Sequence, residues 1–188
     1  MSNVAGRRLF IASSIVIAAL CFAGFARSYY LRSWFSTRTL SSILQVHGFI
    51  MTTWVALFMT QVIFVARHRI DLHRKLGVSG VFLAALILAL GVFIIVRDID
   101  RQSPNPTTLS FVLLFTAFDG MNLLLFAGFV GFAMFARRRP DVHKRLMLLA
   151  TLSLLPPALG RLAIYFVPDE REPITKLALL RCHPRAYH

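Results

Sequence analysis

Five long apolar runs, at residues 9–26, 43–66, 76–96, 109–136 and 146–167, organise the chain, and short arginine- and lysine-rich segments separate them. Each run is about as long as a helix needs to cross a hydrocarbon core of ~30 Å. None alternates apolar and polar residues over the ~10 positions of a transmembrane strand. The pattern predicts an all-α, polytopic membrane helical bundle of about five transmembrane helices. Residues 1–167 read as a single transmembrane domain. Residues 168–188, which include Pro168, Pro173 and Pro184, read as an irregular tail.

Composition narrows the class further. Of 188 residues, 57% are apolar and 15% charged, whereas a soluble domain carries about a quarter charged residues. That excludes a soluble globular domain. It also leaves no stretch of chain for a catalytic domain outside the spans. The net charge of +13 would suggest nucleic acid in a soluble protein, but here the basic residues lie in short loops between spans. They read as topology signals, and no nucleic-acid partner is expected.

Charge also orients the bundle. Arg7, Arg8, Arg67, Arg69, Arg74, Lys75, Arg137, Arg138, Arg139, Lys144 and Arg145 fall on one side of a five-span arrangement. The other side carries Arg27, Arg32, Arg38, Arg97 and Arg101, with Tyr29, Tyr30, Trp34 and Tyr165 as an interfacial aromatic belt. The expectation is a multi-pass protein of the bacterial inner membrane with the N-terminus cytoplasmic and the C-terminus outside. Arg7-Arg8 and the apolar run ending in Gly24-Phe25-Ala26 mimic a signal peptide. The run is longer than a signal core, and the first span is expected to be retained. Leu20 before Cys21 is too large for a lipoprotein site, and Cys21 and Cys182 are too few for a disulfide framework.

One internal repeat stands out. Residues 66–76 (A-R-H-R-I-D-L-H-R-K-L) and 136–146 (A-R-R-R-P-D-V-H-K-R-L) match at six of eleven positions with an offset of 70. Each copy joins an outgoing span to a returning one. This predicts two pseudo-repeated hairpins, spans two–three and four–five, plus an N-terminal helix, the hairpins being related along the membrane normal. Asp71 and Asp141 suit N-caps, and the Lys/Arg residues suit topology and head-group contacts. Neither role needs a histidine at the same place twice. His73 and His143 are therefore expected to share a ligand such as haem b or a metal ion.

Polar groups inside a bilayer are costly and mark candidate sites. His47, Asp119 and Arg161 fall at similar depth in the outer part of the spans. Asp119 and Arg161 are the natural ion pair, with Asn122 one turn from Asp119. Pro156, Pro157 and Gly160 are expected to kink or break the last span just before Arg161. His47, Trp54 and Gln61 recur every seven residues and are expected to line one inward face. Together, His47, Trp54, Gln61, Asp119, Asn122 and Arg161 form a candidate ligand-binding or buried polar cluster: either a structural clamp or a small outward pocket for a proton, an anion or a quinone-like head group. Gly80/Ala84, Ala85/Ala89 and Ala127/Gly131 have the spacing of close helix packing.

Several chemistries lack their residues. There is no phosphate-binding glycine loop, Cys-x-x-Cys, His-Glu-x-x-His or Gly-x-Ser-x-Gly. Asp119 is the sole acidic residue inside a span, so a di-metal carboxylate site has no ligand set. Covalent haem is excluded because Cys-x-x-Cys-His is missing.

Three segments, V-H-G-F-I-M-T-T-W-V-A-L-F-M-T-Q (46–61), D-L-H-R-K-L-G (71–77) and D-V-H-K-R-L-M-L-L-A-T (141–151, continuing to Arg161), resemble a family of bacterial multi-span membrane proteins without an established activity. The resemblance covers about residues 40–167 and implies a helical inner-membrane protein patterned on His47, Trp54, Gln61, His73, His143 and Arg161. The leading expectation is a non-catalytic accessory or structural subunit of a larger membrane complex, in contact with lipid and with other membrane subunits. The alternatives are an electron-transfer module holding haem b or a metal at His73 and His143, and a small transporter or proton-linked enzyme using His47, Asp119 and Arg161.

Overall fold

The computed structural model describes residues 4–35, 40–102 and 106–166. Over these residues the chain is helical and contains no strand. Helix α1 spans Val4–Phe25 and passes into a π-helical turn, Ala26–Tyr30, and a short α2, Arg32–Phe35. Then come α3 (Ser42–Ala66), α4 (Ile70–Gln102), α5 (Pro106–Phe135), a 3-10 turn (Ala136–Arg138), α6 (Pro140–Ser153) and α7 (Pro156–Phe166). Arg38, Cys182 and the tail 168–188 lie outside the described residues.

Among the described residues, four stretches are long and apolar enough to cross a membrane: Arg8–Tyr30, Ser42–Ala66, Ile70–Asp100 and Leu113–Arg138. A fifth is made by α6 and α7 together, bent by 42° where the helix breaks. The expected proline effect is the cause. Pro156 and Pro157 have no N–H to give to the preceding turn, and the α6 ladder closes at Leu154 and Leu155, which donate to Thr151 O and Leu152 O. Many large apolar side chains face outward, among them Phe82, Leu114, Leu124 and Phe132, each about two-thirds exposed or more. Such a surface suits hydrocarbon and is compatible with a multi-pass membrane protein.

The core lies among α3–α6. Ile50 and Trp54 from α3, Ala84 and Ile87 from α4, Phe126 from α5 and Ala150 from α6 form one buried cluster. Consecutive helices of this set pack side by side. The buried stripe of α3 is Ile50, Trp54, Phe58 and Val62, a four-residue repeat, so Trp54 is central and His47 and Gln61 flank it. Helix α1 lies outside this set, along α7 and against α3. The α1–α7 approach is close because Gly24 has no side chain: a Cβ there would stand 2.4 Å from Ala158 O. Of the small-residue spacings, Ala84 is buried in the core whereas Ala85 and Ala89 face outward.

The repeat has a structural counterpart. Helices α4 and α6 start at Ile70 and Pro140, 70 residues apart like the sequence copies. At matched positions His73 N donates to Arg69 O at 3.1 Å and His143 N to Arg139 O at 3.0 Å. The turns before them differ. The first reverses through His68 at φ 57°; the second runs through the 3-10 turn into Pro140 at the first helical position, where a missing N–H costs nothing. The capping expectation needs correction at Asp141. Arg139 occupies the cap position of α6 without a side-chain hydrogen bond, and the Asp141 carboxylate pairs with Lys144 Nζ. Asp71 and Asp141 lie within the first turns, where a negative charge is favourable beside the positive end of the helix dipole.

Candidate functional site

At the basic end of the bundle, the first turns of α4 and α6 bring His73 and His143 together. Their ring centroids are 6.3 Å apart and the planes are nearly perpendicular, at 85°. His143 Nδ1 lies 2.8 Å from Ala133 O on α5. A carbonyl oxygen can only accept, so Nδ1 carries the proton in this hydrogen bond and, in the neutral ring, Nε2 is the nitrogen with the lone pair. This is the arrangement in which a ligating histidine is held by its second nitrogen. His73 Nδ1 is buried with no hydrogen-bond partner. A buried nitrogen without a partner costs on the order of 1–3 kcal/mol, so the site is incomplete as it stands. The Gln61 carbonyl oxygen is a second such orphan. Its amide faces α4 near Gly77, where a Cβ would lie 3.9 Å from Gln61 Nε2.

The expected polar cluster is spread along the bundle. Trp54 sits at the centre, its Nε1 donating to Thr151 Oγ1 at 3.3 Å and its ring edge-on to Phe126 at 5.0 Å. His47, near the start of α3, and Arg161, in α7, lie toward the end of the bundle away from His73 and His143. The expected Asp119–Arg161 ion pair does not form. Arg161 instead donates to Pro157 O at 3.0 Å and lies over the Phe25 ring, 4.6 Å from its centre. The reason is topological: α7 packs on α1, whereas Asp119 is carried by α5. Asn122 donates to Phe118 O, one turn back on its own helix.

Three contributors lay beyond sequence reasoning. Thr151 and Ala133 O act through partners 97 and 10 residues away. Ser28 Oγ, in the π-helical turn, is buried without a partner, and no local motif marks it. Among the described residues no group of three or more His, Cys, Asp or Glu is placed to hold a metal ion. The chemistry on offer at the histidine pair is therefore two imidazoles, one with its tautomer fixed, under a roof of arginine and lysine.

Comparison of the chain with protein-family models, curated proteins and solved structures finds no match.

Proposed function

We propose that this chain is a multi-pass membrane electron-transfer module that binds haem b between His73 and His143. The observation that carries the reading is the 6.3 Å separation of two imidazoles delivered by the two repeat copies. Two imidazoles this close would hold a single metal-centred group between them.

The donor set favours haem over a bare ion. A structural metal site takes four protein ligands, and the described residues supply no third histidine, cysteine or carboxylate. Haem would need only two ligands from the protein, and His73 and His143 would supply them. When bound, it would supply one-electron chemistry. His143 is already oriented by Ala133 O, and the orphaned His73 Nδ1 marks a ring whose environment lacks a partner. Arg74, beside His73 in sequence, would neutralise a propionate carboxylate.

The test is an absorption spectrum of detergent-purified protein expressed with haem available, with iron analysis on the same sample. A stoichiometric Soret band that is lost in folded His73→Ala and His143→Ala supports the reading. A colourless, iron-free, folded preparation overturns it and returns the accessory subunit to first place, with co-purifying proteins the next object. Loss of function in a folded Asp119→Asn variant, with no Soret band, would favour the transporter or proton-linked enzyme.

A further inference from the structure

We propose a binding site for one anionic phospholipid in the groove between α3 and α4 at the basic end. Two adjoining cavities, of about 230 and 370 Å³, open there and share Phe64 and Leu72. The first is lined by Arg67 and Arg69. The second runs on past Lys75, Leu76 and Ser79. Leu72, Lys75, Leu76 and Ser79 follow the i, i+3, i+4, i+7 stripe of one helix face, so the groove runs down α4 into the span, with Phe64 as its other wall.

Its polarity changes along its length in the way a phospholipid's does. Two guanidinium groups at the turn suit a phosphodiester through paired N–H donors. The Lys75 stem can lie along the apolar wall with its ammonium raised to the same level. Below that level Phe64, Leu72 and Leu76 offer hydrocarbon to an acyl chain. Ser79 adds no free polar demand, because its hydroxyl donates to Leu76 O at 2.7 Å. Basic pockets between spans are the recognised form of anionic head-group sites. The loop at Arg137–Arg139 carries comparable charge. The proposal assigns selectivity to the groove rather than to charge alone.

The full-length protein in a non-ionic detergent is titrated with phosphatidylglycerol, phosphatidylcholine or glycerol phosphate, and native mass spectrometry counts adducts. The expected result is one saturable phosphatidylglycerol adduct, with phosphatidylcholine and glycerol phosphate at least tenfold weaker. Arg67→Gln with Arg69→Gln should weaken it by about fivefold per charge, and Arg137→Gln with Arg138→Gln should leave it unchanged. Ser79→Phe, which fills the groove and keeps every charge, should displace the lipid. Equal losses in the two arginine pairs, equal binding of phosphatidylcholine, binding of glycerol phosphate as tight as the lipid, or retention of the adduct in Ser79→Phe would each overturn the proposal. None of these outcomes depends on haem.

Discussion

Trp54 and Thr151 meet at the centre of the bundle across 97 residues of sequence: the indole N–H donates to the threonine hydroxyl, which itself donates to Met147 O at 3.0 Å. The relay ties α3 to α6 and links the two hairpins. Thr151→Val keeps the volume and removes the acceptor, so the expected cost is the ~0.6 kcal/mol typical of a hydrogen bond between spans. Trp54→Ala also empties the core against Phe126 and should cost about 3–5 kcal/mol. Unfolding in mixed micelles measures both. Equal costs would show that the hydrogen bond, not packing, holds this centre.

Glycine positions give the sharpest steric prediction. A side chain at Gly24 meets Ala158 backbone, whereas one at Gly128 meets nothing within 4 Å. Gly24→Leu should separate α1 from α7 and lower the melting temperature by several degrees, a shift that corresponds to ~1 kcal/mol or more. Gly128→Ala should be neutral. Indistinguishable melting of the two variants would refute the close α1–α7 approach.

The Tyr29 ring closes over Gly48, where a Cβ would fall 2.3 Å from Cε2, and its hydroxyl donates to Gln45 O at 3.1 Å. Gly48→Ala should destabilise, and Tyr29→Ala should remove the penalty in the double variant. Contacting residues of this kind show coupling of about 0.5–3 kcal/mol in a double-mutant cycle. Strictly additive effects would mean the ring does not sit there.

Arg161 has no carboxylate partner among the described residues; it rests on Phe25 and its own helix. Phe25→Leu should cost about 0.5–2 kcal/mol through the lost cation–π contact, and Phe25→Tyr much less. Matching losses would point to shape alone.

What the sequence disclosed, and what it withheld, follows from where each signal is written. Hydropathy runs located all five apolar segments, because burial in lipid acts on every residue of a span. The two repeat copies lie at matched helix starts, Ile70 and Pro140, because both turn at the same end, and His73 and His143 stand 6.3 Å apart there. Pro156 and Pro157 announced the break by local chemistry. Lateral pairing was not written locally. Asp119 and Arg161 share a depth but not a neighbour, since Gly24 and Ala158 commit α7 to α1. His47, Trp54 and Gln61 share one face of α3, with Trp54 buried and the other two half-buried, but a spacing of seven residues sets them roughly 10 Å apart along the axis, so one face became three separate levels. The helices that carry the apolar runs 76–96 and 146–167 start six residues before them, at Ile70 and Pro140, because charged first turns can be helical without being apolar.

The contact of α1 with α7 also has a consequence in time. Gly24 of α1 rests on Ala158 of α7, so this seam joins segments made 134 residues apart. Until residues near Ala158 have been synthesised, the Gly24 surface of α1 lacks this mate, and a chain cut short before α7 would leave that flank bare.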